Sequence, residues 1–451
     1  MKRVLIGLIA LMVPILVTGQ DLPQYVDNSV NKYFPPIIDQ VGGSCAQASS
    51  IGYVFTYEMN RFLDRDASAG PENRFSYQAV WNLVNDGIDQ GGFAEDGLFV
   101  VMRSGAMTEA DYGKAATYSF KWASGFEKYR NAFRYRVAKF IRFSTDIEEM
   151  KSYLAGDGSK PGGVVSFSGH STGWTILSDY SGPSGTGYKA LLTILPTGGS
   201  HAMTIVGYDD LVTYTDKNGV QHDGAFIVAN SWGSYMHDNG RFYYPYDFFR
   251  DESVPVQTLS NDVITAAVKF QEPRILFKLT LDYSSRNDLS YYIGATDKAS
   301  ADVPDNFYYQ SAISNKGGDL SMRGSFDKEP LEFALDYTDN IPYTNPDFCR
   351  YFLKIVRSAR GKKGEGTLND LSVIDYRSGS PVEYKYRGPL PAQLEDGDNW
   401  FTIGLVPRFS ISCSPVRLGD KILYLRTASG AKARVQMSRE GSKATIKYTV
   451  R

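Results

Sequence analysis

The sequence predicts an α+β chain that continues into an all-β region, and three observations carry that reading. Apolar residues spaced three and four apart recur early, at Ala48, Ile51, Phe55, Met59 and Phe62, and mark one face of a helix. Short apolar runs of strand type follow, such as Gly163–Phe167 and Ala202–Val206. From about residue 272 the pattern is short alternating segments between Gly-rich turns, which suggests an antiparallel β-sandwich. At 451 residues the chain exceeds one ordinary core, so roughly two or three domains are expected.

The N-terminus reads as a secretory signal over residues 1–19. Lys2 and Arg3 precede the apolar run Val4–Val17, and Val17-Thr18-Gly19 offers small residues for cleavage. The run is short for a span, which needs about 20 residues, and Pro14 interrupts it. A retained anchor is the competing reading. No other segment is long and apolar enough to span a bilayer, so a soluble protein that is secreted, periplasmic or at the cell surface is expected. A net charge of -2 with 42% hydrophobic and 22% charged residues is that of a globular protein. It points to neither nucleic acid nor an anionic membrane. The 31 Tyr, 25 Phe and 43 Gly favour strands and turns.

Taken in order, the first helix is expected over Cys45–Leu63, after the turn Gly42-Gly43 and with Ser44 as its cap. A second should start at Ser76 and run through Val80, Trp81 and Val84 to near Gly87. Ile147–Leu154 is a third. Val212–Ile227 reads as a hairpin with Asp216-Lys217-Asn218-Gly219 at its tip. That tip lacks the further acidic ligands of a calcium loop, so it reads as a turn. In the C-terminal region Ile275–Leu281, Leu331–Leu335, Tyr351–Val356, Trp400–Ile403 and Ala444–Tyr448 read as strands.

Chemistry concentrates at three places. Cys45 is the one cysteine among the first 348 residues and falls in the first turn of the predicted helix, where the helix dipole and free N–H groups favour a thiolate. Downstream stand Ser200-His201-Ala202-Met203 and Ala229-Asn230-Ser231-Trp232-Gly233. A lone thiol with a later histidine and asparagine suggests a nucleophile, its base and the group that orients the base.

In this order Gln40, Cys45, His201-Ala-(x)3-Val206-Gly207-Tyr208 and Asn230-Ser-Trp-Gly, the chain resembles the papain-like cysteine peptidases over roughly residues 33–268. The resemblance implies a two-lobed peptidase domain, 20–268, with the site between a helical and a β lobe, and the alternating pattern adds a β-sandwich over 272–451. It implies Cys45 as nucleophile, His201 as general base and acid, Asn230 as imidazole orienter, Trp232 as shield of that hydrogen bond, and Gln40 as oxyanion donor with the Cys45 N–H. Gly91 and Gly92 would bind the substrate backbone, although a plain Gly-Gly turn also fits. Phe93 and Ala202 would line the S2 subsite, its floor lying somewhere in Tyr243–Arg250. His170 is the rival base, and surface roles are expected for His170, His222 and His237.

The chain departs from the family in four ways. The step from Gln40 to Cys45 is one residue shorter, Ala46 replaces an aromatic, and there is no room for a long propeptide. The Cys45–His201 separation is also long, which an insertion around Ser178–Gly187 would explain. Cys349 and Cys413 are either a pair or two buried thiols. The expected partner is a peptide or protein, with no cofactor, nucleic acid or stable membrane span. The C-terminal domain would bind a surface, a glycan or the substrate, and residues 20–268 are expected to be active alone. An inactive binding scaffold and an acyl transferase are the alternative functions.

Overall fold

The computed structural model describes residues 22–113, 120–182, 187–194, 198–250, 263–298, 300–323, 330–342, 348, 350–358 and 364–404, with the backbone of strands Ile422–Arg426, Lys432–Glu440 and Lys443–Val450. The apolar N-terminus, Cys349, Cys413 and residues 183–186 of the expected insertion lie outside the described residues.

The expected first helix is one continuous run with an irregular middle. It is α-helical over Cys45–Gln47, widens to π-type turns over Ala48–Phe55 and returns to α over Thr56–Leu63. Asp64, in the left-handed region at φ 54°, ends it. The wide turns change the phase of the apolar face. Ala48, Ile51, Phe55 and Met59 are buried as expected, but so are Tyr53 and Tyr57, while Phe62 is turned outward. Ser44 does not cap this helix. Its hydroxyl donates to the Val41 carbonyl at 2.6 Å and so tightens the preceding turn instead.

Ser76 does cap its helix, Tyr77–Val84, by accepting the Ala79 N–H. Asp146 does the same for Ile147–Ala155. Helices Ala94–Ser104, Glu109–Tyr112, Phe126–Ala132 and Asp247–Arg250 were not expected from the sequence. In the longest of these, Gly97 interrupts the periodicity for a packing reason. A Cβ there would press on Gln47 at 3.2 Å and Ile51 at 3.4 Å, so the glycine lets two helices approach closely.

A nine-stranded sheet holds the site. Its long strand His201–Thr215 pairs with Val165–Gly169 on one side, where Gly169 faces His201, and with Gln221–Ala229 on the other, where Ala229 faces Thr204. Strand Val263–Phe270 returns to the same sheet beside Tyr135–Phe143. The hairpin tip is a turn, since the Asp216 carboxylate accepts the N–H groups of Asn218 and Val220 at 2.8 and 2.9 Å. One apolar cluster joins Ile51, Phe55, Val80 and Leu98 to the strand residues Val137 and Ile264. A second joins Val165, Met203, Ile205 and Phe226 to Ile147 and Met150.

Sheet membership changes between Phe270 and Ile275. A five-stranded sheet built on Ile275–Tyr283 and a four-stranded sheet built on Leu289–Thr296 share one core. Phe277, Leu279, Phe333 and Val373 enter it from the first sheet, and Tyr291, Ile293, Leu353 and Ile403 from the second. All five segments expected as strands lie within strands.

These sheets are not isolated from the preceding region. Trp122 is buried in their core, with the Arg286 guanidinium 4.6 Å from its ring. Arg286 is itself fully buried and donates to the carbonyls of Gly317 and Phe120, both at 2.8 Å. Phe126 and Phe133 pack on Leu276 and Ala334. Buried Arg136 pairs with buried Asp336.

Candidate active site

The loop ahead of Cys45 is shaped by two glycines. Gly42 takes the left-handed region at φ 53°, which glycine adopts without a Cβ penalty. A Cβ on Gly43 would stand 2.7 Å from the Gln90 backbone, so only glycine lets the segment Gln90–Phe93 lie against this loop. The Gly43 N–H donates to Asp89 at 2.7 Å and holds that approach. Cys45 then opens the helix as a half-buried residue.

His201 starts the central strand and is only 4% exposed. Its Nε2 lies 2.8 Å from Asn230 Oδ1. The Asn230 amide is oriented without ambiguity, because Oδ1 also accepts the Ser231 backbone N–H at 2.7 Å, a group that can only donate. His201 therefore carries its proton on Nε2 and leaves Nδ1 free as a base. Trp232 stacks on the imidazole, with ring centroids 4.4 Å apart and planes 25° apart, and screens this bond from water.

Gln40 is tied to the same corner. Its backbone N–H donates to the Ser231 carbonyl at 2.8 Å, and its Oε1 accepts the Ser231 hydroxyl at 2.6 Å. One N–H of its side-chain amide goes to the Gly42 carbonyl at 2.8 Å. In the short step from Gln40 to Cys45 the amide thus spends one of its two donors on its own loop.

Backbone N–H groups near the Cys45 thiol, Ala202 first and then Ala46 and its own, favour its thiolate electrostatically. The thiol makes no hydrogen bond to the His201 ring, whose polar contact is Asn230. Burial pushes the thiol up, the backbone N–H groups opposing it, and burial drives His201 down to about 4. Both effects favour the uncharged pair. The thiolate expected from the helix start alone is opposed here by desolvation.

Two residues that the sequence did not single out complete the corner. Tyr53, turned inward by the wide helical turns, accepts the Ile38 N–H at 2.7 Å and donates to the Asn230 carbonyl at 2.8 Å. It bridges the chain before Gln40 to the asparagine. His237 is the second. It was expected on the surface, but its Nε2 lies 3.0 Å from Asn230 Nδ2 and its ring contacts Trp174, Trp232 and Phe242. Burial and the nearby His201 lower it to about 4. The other two histidines are satisfied elsewhere. His170 is half-buried with Nδ1 2.9 Å from the Gly199 carbonyl, and His222 of the hairpin lies 2.9 Å from Asp247.

The expected binding strip sits beside this corner. Phe93, 48% exposed, gives its carbonyl to Gln47 Nε2 at 3.1 Å. Gly91 and Gly92 are outside the left-handed region; a Cβ on Gly91 would meet nothing, and one on Gly92 would meet only the Gln47 amide at 3.6 Å. The protein's own packing therefore does not require glycine at either position. Ala202 is buried, and its backbone acts on the nearby thiol. In the segment expected to floor the pocket, Tyr243, Tyr244, Tyr246 and Phe249 are buried in apolar clusters.

No family model matches this sequence, and no curated protein matches it. Among solved structures, the chain is similar to xylellain, a cysteine protease from Xylella fastidiosa, at 21% identity and a TM-score of 0.40, covering 55% of this chain and 87% of that one. It is similar to digestive procathepsin L 3 of Tenebrio molitor at 17% identity and a TM-score of 0.38, over 56% of this chain and 73% of that one. ProCathepsin B S9 from Trypanosoma congolense is matched at 13% identity and a TM-score of 0.39, over 56% and 79%. Similarities this low leave a functional reading to rest on the geometry of the corner itself.

Proposed function

We propose that the protein is a papain-like cysteine peptidase, exported through its first 19 residues and acting on peptides or proteins. The observation that carries this reading is the 2.8 Å His201–Asn230 contact, whose amide orientation leaves His201 Nδ1 as a free base beside a helix-start thiol. Cys45 Sγ would attack the substrate carbonyl while Nδ1 takes its proton. The proton then passes to the leaving amine, and water releases the acyl group from the thioester. For this the sulfur must come within reach of the ring nitrogen, a movement about one side-chain bond. The Cys45 N–H and the second N–H of Gln40 would hold the oxyanion. Gly91 and Gly92 would clamp the substrate backbone, in keeping with positions that have no internal need for glycine. Exposed Phe93 supports an apolar or aromatic side chain in the adjoining subsite.

A second reading, a weakly active scaffold used for binding, draws on the Gln40 amide bonded to Gly42. Mass spectrometry after treatment with a broad papain-class epoxide separates the two. A single adduct on Cys45 that disappears in His201→Ala is the expected result, and no adduct on folded protein leaves the scaffold. The region after residue 272 is proposed to bind a surface, a glycan or the substrate.

A further inference from the structure

Asn230 is held from both ends of its side chain. Its oxygen takes the Ser231 N–H at 2.7 Å and faces His201 Nε2 at 2.8 Å. Its nitrogen faces His237 Nε2 at 3.0 Å. An amide nitrogen only donates, so His237 Nε2 must be the unprotonated, accepting nitrogen and its proton must sit on Nδ1. The ring is fixed in that role. Its backbone occupies the left-handed region at φ 56°, in the turn between Gly233 and Gly240, which a non-glycine residue adopts only when its surroundings hold it there. Trp174 meets the ring edge-on with centroids 6.0 Å apart, and Phe242 packs on it at 4.9 Å.

We propose that His237 is a positioning residue for the His201–Asn230 pair: by accepting the Asn230 Nδ2 hydrogen it keeps the amide oxygen toward His201 and so fixes the tautomer that leaves Nδ1 free for Cys45. The inference rests on the peptidase reading for its catalytic meaning, but the tautomers it assigns stand independently. Without the acceptor, the Nδ2 end has no partner in this apolar pocket, and the amide loses one of the contacts that oppose its rotation. A rotated amide would present N–H groups to both His201 Nε2–H and the Ser231 N–H, so His201 would have to change tautomer or turn away.

The test uses the full-length protein. With nitrogen-15-labelled histidine, long-range proton–nitrogen correlation spectra at neutral pH are expected to show His237 protonated on Nδ1 and His201 on Nε2. A His237 ring protonated on Nε2 overturns the proposal, whether or not the protein cleaves peptides. Failure of the peptidase reading shows separately, as a Cys45 that the epoxide does not label. On a fluorogenic peptide, His237→Phe is expected to lower kcat about tenfold, the scale of a small misplacement of catalytic groups, with KM within about twofold. His237→Gln, which restores an acceptor, should recover most of that loss. Wild-type kcat in a folded His237→Phe variant overturns the proposal, as does an equal loss in folded His237→Gln. Should His237→Phe not fold, the tautomer spectrum and His237→Gln decide.

Discussion

Replacing Asp336 with alanine tests how firmly the two regions of the chain are joined. Arg136 and Asp336 are both about 4% exposed at their side chains and form an ion pair across the junction. Burial pushes the Asp336 carboxyl up, and Arg136 opposes that shift. Removing one partner of a buried pair typically costs about 3–5 kcal/mol, because the other charge stays buried. Arg136 retains hydrogen bonds to the carbonyls of Phe133 at 2.9 Å and Arg103 at 3.3 Å, and half-exposed Asp339 lies 3.4 Å away. These place the loss at the lower end, about 3 kcal/mol. With an unfolding entropy of about 2.1 cal/mol/K per residue, that lowers Tm by about 8 °C if a unit of about 180 residues melts alone. If the whole chain melts together the drop is about 3 °C. Differential scanning calorimetry reads both the size of the shift and the number of transitions. The double variant Arg136→Met, Asp336→Leu should regain most of the loss, since two apolar residues replace the pair. A shift under about 1 °C in Asp336→Ala would refute the reasoning.

The fragment 20–268, which the sequence alone suggests should be active by itself, is now expected to misbehave, because Trp122, Phe126 and Phe133 lose the strands that cover them. Strong binding of a hydrophobic dye and poor solubility should report this, and a soluble, fully active fragment would contradict it. Tyr53→Phe removes the partner of the Ile38 N–H and the Asn230 carbonyl, at a cost of about 2–3 kcal/mol for two buried hydrogen bonds. Urea titration checks that figure, and a change below about 0.5 kcal/mol would show the hydroxyl to be replaceable. Stability should also fall as pH drops from about 6.5 to about 4. His201 binds its proton only below about 4 when folded, but at about 6.5 in the unfolded chain, so unfolding takes up a proton in that window. His201→Phe should flatten this part of the Tm–pH curve, and an unchanged slope would count against it.

How much of this corner could be read in the sequence depended on whether its residues carry local signals. His201 stands in a pattern along one strand and Asn230 in a short pattern just past the end of its neighbour, and the structure brings the two within hydrogen-bond distance. The C-terminal strands were readable because one face is buried and alternation records it. His237 gave no such signal. Its role needs the turn after Gly233 to bring it back on Asn230, and no spacing rule encodes that turn. Helix Ala94–Ser104 was hidden by Gly97, which tertiary packing demands and helix propensity disfavours. The same holds for Trp122 and Arg136, whose partners are some 200 residues away, as for Arg136 and Asp336. Tyr53 was missed because a regular 3.6-residue period was assumed where the helix is wider.

That wider stretch, Ala48–Phe55, buffers the orientation of the thiol against a change in helix length. A π-type turn holds one more residue than an α-turn, and neighbouring residues of a helix differ by about 100°. Deleting a single residue between Ala48 and Phe55 would let the run close into ordinary α-helix without disturbing Thr56–Leu63. Because the extra residue and the wider turn offset one another, Cys45 would keep roughly its present direction. A deletion here would instead be felt at the buried side chains of the stretch, Tyr53 above all, whose contacts to Ile38 and Asn230 hold the corner together.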